Sequence, residues 1–363
     1  MKNANRVVLI GGGHSHALVL HALKAAPLSD ADITVINPGT TAPYSGMLPG
    51  FLAGHYQRAD LDIDLTKLTR DVGARLIDDR AVGLDLEAKQ VLLADGENVP
   101  YDVASVDVGI TSHMNALPGF SENAIPAKPL ADFATRWDAF RASRGSKNVA
   151  IIGGGIAGAE IAMAMAYALR NDPSDVSVKL LDRSEILSAN SATARKTVRR
   201  ELHKNDVDVC EGIDVVAVTA SGVSLRDGTE IQSNFVVGAA GATPHPWVKN
   251  TGLDLHNGFI KVNPHLQSNV PGVFAVGDCA EMVFDPRPKA GVFAVRQAPV
   301  LLNNIRNALS GRELERYDPQ SDYLKLVSLG GKRAFGEKGG WGFSGQLVWL
   351  LKNKIDRDFM AQF

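Results

Sequence analysis

The chain has 363 residues, 45% of them hydrophobic and 21% charged, with 38 basic against 40 acidic side chains. This is a globular composition, long enough for two domains, and it lacks the basic excess on which nucleic-acid binding relies. Two cysteines, Cys210 and Cys279, make no disulfide framework and belong to no Cys-x-x-Cys pair, and no run approaches the ~20 apolar residues of a membrane span.

In chain order, the apolar run Val7–Ile10 reads as a buried strand that breaks into Gly11-Gly12-Gly13. With no small-residue cleavage site after that run, no leader is expected and a cytoplasmic protein is the default. Residues 15–26 read as a helix, followed by a strand over Ile33–Ile36 ending at Asn37. Asp95-Gly96 lies between apolar runs as a tight hairpin would, and Ala104–Gly109 reads as a further strand. The plan then repeats. Val149–Ile152 breaks into Gly153-Gly154-Gly155, a helix is predicted over Ile156–Arg170, and a strand over Val176–Leu181 ends at Asp182. Asp227-Gly228 makes the second hairpin, and Phe235–Gly241 the closing strand.

A duplicated strand–glycine turn–helix unit predicts an α/β fold of two Rossmann-like dinucleotide-binding domains, each with a β-meander insertion, plus a C-terminal segment. A further strand, Val273–Val276, ends in Gly277-Asp278 and precedes a helix from about Ala290, which places it in the first domain. The expected boundaries are 1–130 with 262–325, then 131–261, then 326–363. In that last segment Leu347, Leu351, Ile355, Phe359 and Phe363 recur at spacing four, one apolar face of a helix over 344–363. Such a face packs on its own domain or a dimer partner, or else lies on a membrane surface with Trp349 and the basic residues beside it.

The glycine turns carry the chemistry, because glycine lets backbone amides and a helix N-terminus approach a pyrophosphate. Gly153-x-Gly155-x-x-Gly158 is complete. Asp182, at the end of the next strand, suits ribose hydroxyls and favours NADH, while the adjacent Arg183 leaves NADPH open. The first turn departs from this pattern: His16 stands where the third glycine belongs, as a packed helix residue or a polar neighbour of the cofactor, and Asn37 replaces the acid. Gly277-Asp278 supplies an acid suited to a flavin's ribityl chain. No cysteine lies in Thr41–Gly50; Cys210 and Cys279 read as buried small side chains, so no thiol relay is expected. Glu160 reads as a complement to its helix dipole or as a group at the nicotinamide–flavin contact. Lys128 reads as a solvated linker lysine, or as a residue near the flavin that pairs with Glu160 or steadies the reduced ring's negative charge. No metal site is expected.

Several segments resemble the pyridine nucleotide-disulfide oxidoreductase superfamily, in the branch of type II NADH dehydrogenases and sulfide:quinone reductases. They are Gly11-Gly12-Gly13-His14-Ser15-His16, Pro43-Tyr44-Ser45-Gly46-Met47-Leu48-Pro49-Gly50, Lys128-Pro129, Pro286–Gln297 and Ile355–Ala361. They are most similar to a subfamily often fused ahead of a selenophosphate synthetase domain; no such domain is expected within these 363 residues. The resemblance implies FAD contacts at Gly11, Gly13, His14, Ser15, Asn37, Pro38, Ser45, Gly46, Met47, Val82, Gly109, Gly277 and Asp278, and at Lys289-Ala290-Gly291-Val292. It implies nicotinamide contacts at Gly153, Gly155, Ile156, Glu160, Asp182 and Gly241, with Tyr44, Ser45 and Met47 flanking the flavin ring.

The implied enzyme takes a hydride from NADH (or NADPH) to FAD and passes electrons to a small-molecule acceptor, first of all a quinone. Reduction of a selenium or sulfur species, or a slow redox sensor binding both cofactors, are the alternatives. A homodimer and peripheral contact with the inner membrane face through the terminal helix are compatible with this reading.

Overall fold

Continuous Val/Ile/Leu runs are what a parallel strand buried on both faces requires, and both halves of the repeat supply them. The computed structural model describes residues 4–363. In the first unit β1 (Asn5–Ile10) leads through the glycine turn into α1 (His14–Leu23), then β2 (Ala31–Ile36), a three-stranded antiparallel meander, and β3 (Val103–Val106). In the second, β4 (Lys147–Ile152) leads into α2 (Ile156–Leu169), β5 (Val176–Leu181), a second meander and β6 (Phe235–Gly238).

The two parallel sheets have the same order. β1 lies between β2 and β3, with Ile10 level with Ile36 and Val106. β4 lies between β5 and β6, with Ile152 level with Leu181 and Gly238. Each glycine turn therefore opens where the chain's neighbours switch sides, the place at which open α/β sheets bind ligands. Val273–Ala275 pairs with β3 and brings Gly277 and Asp278 to the end of β1. Ala124–Pro126, expected at the end of the first unit, is instead the edge strand of the second sheet, paired with β6.

Helix α1 is shorter than expected: Lys24–Ala26 turn away ahead of Pro27, held by bonds to His21 and Ala22 carbonyls. α3 (Gly291–Ser310) packs along α1. Beyond it, Lys325–Ser328, Ala334–Lys338 and Trp341–Gly345 form a small antiparallel sheet that ends in α4 (Gln346–Met360).

The apolar row of this last helix is for the most part not the row that packs on its own domain. Val348, Lys352 and Asp356 turn inward, one residue or about 100° of helix from the apolar row. Leu347 is 82% exposed, and Leu351 and Ile355 are exposed too; Phe359 and Phe363 alone of that row pack against the core. Partners explain the exchange, since Lys352 Nζ bonds Asp356 Oδ2 and the Gly46 carbonyl, both at 2.7 Å, which offsets the cost of burying charge. Among the described residues, no helix is long and apolar enough to cross a membrane.

Candidate active site

The first turn is locked by polar side chains. Gly11 has φ +91°, and a Cβ there would overlap the Asp107 carbonyl, so only glycine serves. The Gly12 amide donates to Asn37 Oδ1 at 2.9 Å, while Asn37 Nδ2 donates to the Pro38, Gly39 and Thr41 carbonyls. His16 is fully buried. Its Nδ1 lies 2.7 Å from the Gly11 carbonyl and its Nε2 2.8 Å from Ser105 Oγ. A carbonyl only accepts, so the proton sits on Nδ1 and the Ser105 hydroxyl donates to Nε2. Burial pulls the His16 pKa down to about 4, keeping the ring neutral. Of the two readings of His16, packing holds, joined to a pair of specific hydrogen bonds.

Asp107, just past β3, was not singled out by its sequence. Its Oδ2 accepts from the Ser15 and His16 amides at 2.9 and 3.2 Å, so a buried carboxylate caps α1 from outside. Burial pushes its pKa up to about 7 against those amides. Ser15 Oγ donates to the Ala294 carbonyl and ties α1 to α3.

The second turn is open where the first is filled. Gly153 has φ +120°, and its Cβ would come within 2.6 Å of the Ala240 amide nitrogen. The Gly154 amide donates to Asp182 Oδ2 at 2.6 Å, and Asp182 Oδ1 accepts from the Ser184 amide and hydroxyl at 2.8 and 2.7 Å. Burial works against this carboxylate's charge, yet the Gly154 and Ser184 donors hold its pKa below the usual range. A Cβ on Gly158 would overlap the Gly153 carbonyl, which is the close helix–strand approach the third glycine exists to allow. Helix α2 starts at Ile156 behind Gly155, and a Cβ on Gly155 or Gly241 would meet open space. Bare amides facing unfilled volume fit a dinucleotide pyrophosphate.

Between the turns, the loop residues Tyr44–Met47 meet the C-terminal helix. Tyr44 donates to Asp356 Oδ1 at 3.2 Å, and its ring centroid lies 4.5 Å from Phe359 and 5.2 Å from His14. Ser45 opens a short 3-10 turn that buries Met47. Glu160 Oε1 accepts from the Ser328 amide at 2.6 Å. Burial pushes the Glu160 pKa up to about 7, with the Lys352 charge opposing it and that of Asp356 adding to it.

Of the readings open for Lys128, the pair with Glu160 does not form. The Lys128 backbone is pinned to Thr111 and Ser112 beyond β3, which sends its Nζ to Asp278 Oδ2 at 3.1 Å. Glu160 has Ser328 and the Lys352–Asp356 pair as neighbours instead.

The remaining residues divide. Gly277 lies against Asp107 Oδ1, 2.5 Å from where its Cβ would be, and a Cβ on Gly291 would meet His14 Nδ1 at 3.2 Å. Ala290 precedes the first turn of α3, which holds Gly291 and Val292. Lys289 is committed to the Ala280 carbonyl and Glu281, both at 2.6 Å. Val82 is exposed on a meander strand, and open space adjoins Gly109. Cys279 is buried with its thiol pushed up to about 12, and Cys210 is half-buried on an edge strand; neither lies in the Tyr44–Met47 loop. The sequence marks neither Lys352 nor Asp356 as an inward-facing group, because charges at spacing four on a helix ordinarily mark a solvated face.

The pyridine nucleotide-disulphide oxidoreductase family model matches residues 5–298. The chain is 26% identical to the NADH dehydrogenase-like protein YutJ of Bacillus subtilis, over 96% of this chain and 97% of that one. It is 27% identical to the probable ferredoxin reductase CtmF of Castellaniella defragrans, over 84% and 75%. Among solved structures, the sulfide:quinone oxidoreductase of Aquifex aeolicus superposes with a TM-score of 0.80 at 18% identity, covering 99% of this chain and 91% of that one. The water-forming NADH oxidase of Lactobacillus brevis superposes at 0.75 with 19% identity, covering 93% and 75%. The chain therefore belongs to the pyridine nucleotide-disulphide oxidoreductases, as an FAD-dependent NAD(P)H oxidoreductase of two Rossmann-like units.

Proposed function

We propose that the first turn holds FAD, the second NADH, and that the electron acceptor is a quinone reached from a membrane surface through the C-terminal segment. The chemistry the cofactors supply when bound is hydride transfer from nicotinamide to flavin and electron transfer onward. Gly153, Gly155, Ile156, Asp182 and Gly241 orient the donor. Gly11, Gly13, Ser15, Gly109, Gly277 and Asp278 hold the flavin dinucleotide, and Lys128 is steadied beside it by Asp278.

The observation that carries the acceptor is the two-sidedness of the C-terminal segment. Outside, Trp341, Phe343, Leu347, Leu350, Leu351 and Ile355 are all exposed, an apolar patch of the kind that marks a membrane or partner surface. Lys332, Lys338 and Lys354 lie in the same segment and suit anionic headgroups. Inside, Lys352 and Asp356 reach Gly46 and Tyr44 in the loop assigned to the flavin. A lipophilic acceptor that takes up protons with its electrons matches both faces. Glu160, with a pKa near 7, is suited to exchange a proton at neutral pH. The similar Aquifex aeolicus structure is a sulfide:quinone oxidoreductase; here no cysteine stands in the Tyr44–Met47 loop, which argues against sulfide as donor.

Steady-state NADH oxidation with short-chain ubiquinone or menaquinone, set against ferredoxin, selenite and polysulfide, tests the reading. Quinone acceleration is expected, strongest with anionic vesicles present; no acceleration by any quinone removes the proposal. Leu347→Ser with Leu351→Ser should abolish co-sedimentation with those vesicles while leaving turnover of a water-soluble quinone intact. Asp182→Ala should weaken NADH about tenfold or more and NADPH less; equal loss for both would remove the ribose role.

A further inference from the structure

The N-terminus of α1, which the glycine turn would offer to the flavin's pyrophosphate, already holds an anion. Asp107 Oδ2 accepts from the Ser15 and His16 amides, and Oδ1 faces Gly277. A Cβ on Gly13 would overlap the same carboxylate. The carboxylate thus fills the wedge between Gly13, Gly277 and the helix end, whereas a Cβ on Gly155, the matching residue ahead of α2, would meet open space. We propose that Asp107 is a proton-accepting gate for the flavin: FAD binds with uptake of one proton from solvent onto Asp107, so that the diphosphate meets a neutral acid there instead of a buried negative charge. The proposal rests on the first turn being the flavin site.

The surroundings leave Asp107 as the group that responds. From α1, His14 and His16 both have pKa values lowered to about 4 by burial and stay neutral. From the turn after Val273–Ala275, Cys279 is a neutral thiol pushed up to about 12 by burial. Asp278 is ion-paired with Lys128 at 3.1 Å, and Lys289 with Glu281. Asp107 is held near pH 7, by burial first, with Asp278 adding to it. Two phosphate charges brought alongside raise that value further, which is proton uptake by linkage. The protonated acid keeps one oxygen for the Ser15 amide and gains an O–H to donate.

The test is FAD binding to the apoprotein, followed by flavin fluorescence from pH 6 to 8.5. The Kd should be flat below pH 7 and rise about tenfold per pH unit above it, one proton being linked to one FAD. Calorimetric titration at pH 8 in two buffers of different ionisation enthalpy should report about one proton taken up per FAD. Asp107→Asn, nearly isosteric and uncharged, should bind FAD with no pH slope and no proton uptake, and should bind NADH at the second turn as before, which shows that it folds. A flat Kd in the native protein, or the same slope in D107N, overturns the gate. Asp278→Ala should weaken FAD at every pH; no change would place the flavin elsewhere and overturn the premise separately.

Discussion

The two glycine turns share one topology and differ in what fills them. At the second, the third glycine lets helix and strand touch, and a Cβ on Gly158 would overlap the Gly153 carbonyl. At the first, the residue in Gly158's place is His16, and the carbonyl matching Gly153's, that of Gly11, accepts its Nδ1–H at 2.7 Å. One site closes the gap with nothing; the other spans it with an imidazole and ends the helix on Asp107. A missing fingerprint glycine is therefore a different packing of the same fold, and the substitution and its compensation must be judged together.

Exchanging the two solutions breaks this comparison most directly. Gly158→His has a backbone carbonyl where its side chain begins, and should cost about 3 kcal/mol or more of stability, with NADH binding lost. His16→Gly is not the milder mirror image that the fingerprint suggests. It opens a cavity, strands the Ser105 hydroxyl and the Gly11 carbonyl, and should cost about 2–3 kcal/mol in urea unfolding. If His16→Gly proved neutral or stabilising, the imidazole would be a tolerated relic and not part of the turn.

What was legible in the sequence follows the same division. The duplicated unit, its meanders and the return of Val273–Ala275 to the first sheet rest on local patterns of glycine, apolar runs and Asp-Gly hairpins, which short-range sterics dictate. Asp107 carries no signal of its own because it falls within the predicted strand Ala104–Gly109 and not, like Asp182, at the end of the strand after a glycine turn; its meaning depends on the helix end that β3 approaches. The inward face of the C-terminal helix depends on distant groups in the same way. Spacing four described two adjacent rows, one apolar and one containing Lys352 and Asp356, and partners on the distant Tyr44–Gly46 loop decided which turned inward. Likewise nothing in the sequence near Lys128 decides its partner; its backbone bonds to Thr111 and Ser112 aim it at Asp278.

The smallest expected effects come from the residues that end β2 and β5, and they separate a weakened site from a differently built one. Asn37 could be read as a degraded Asp182, but the loops beneath them offer opposite groups. Around Asn37 three carbonyls point inward, so its side chain must donate as well as accept from Gly12. Around Asp182 the Ser184 amide and hydroxyl and the Gly154 amide all donate, so its side chain must only accept. Asn37→Asp, which restores the consensus acid, should therefore destabilise by about 2 kcal/mol, setting a carboxylate against the carbonyls of Pro38, Gly39 and Thr41. Asp182→Asn should cost about 1 kcal/mol, because one of its two oxygens becomes a donor facing donors. Urea midpoints for the two single variants and the double exchange decide between the readings. Losses that add, with Asn37→Asp the larger, mean that each side chain is fixed by its own loop; a gain from Asn37→Asp would mean that the first turn is a decayed copy of the second.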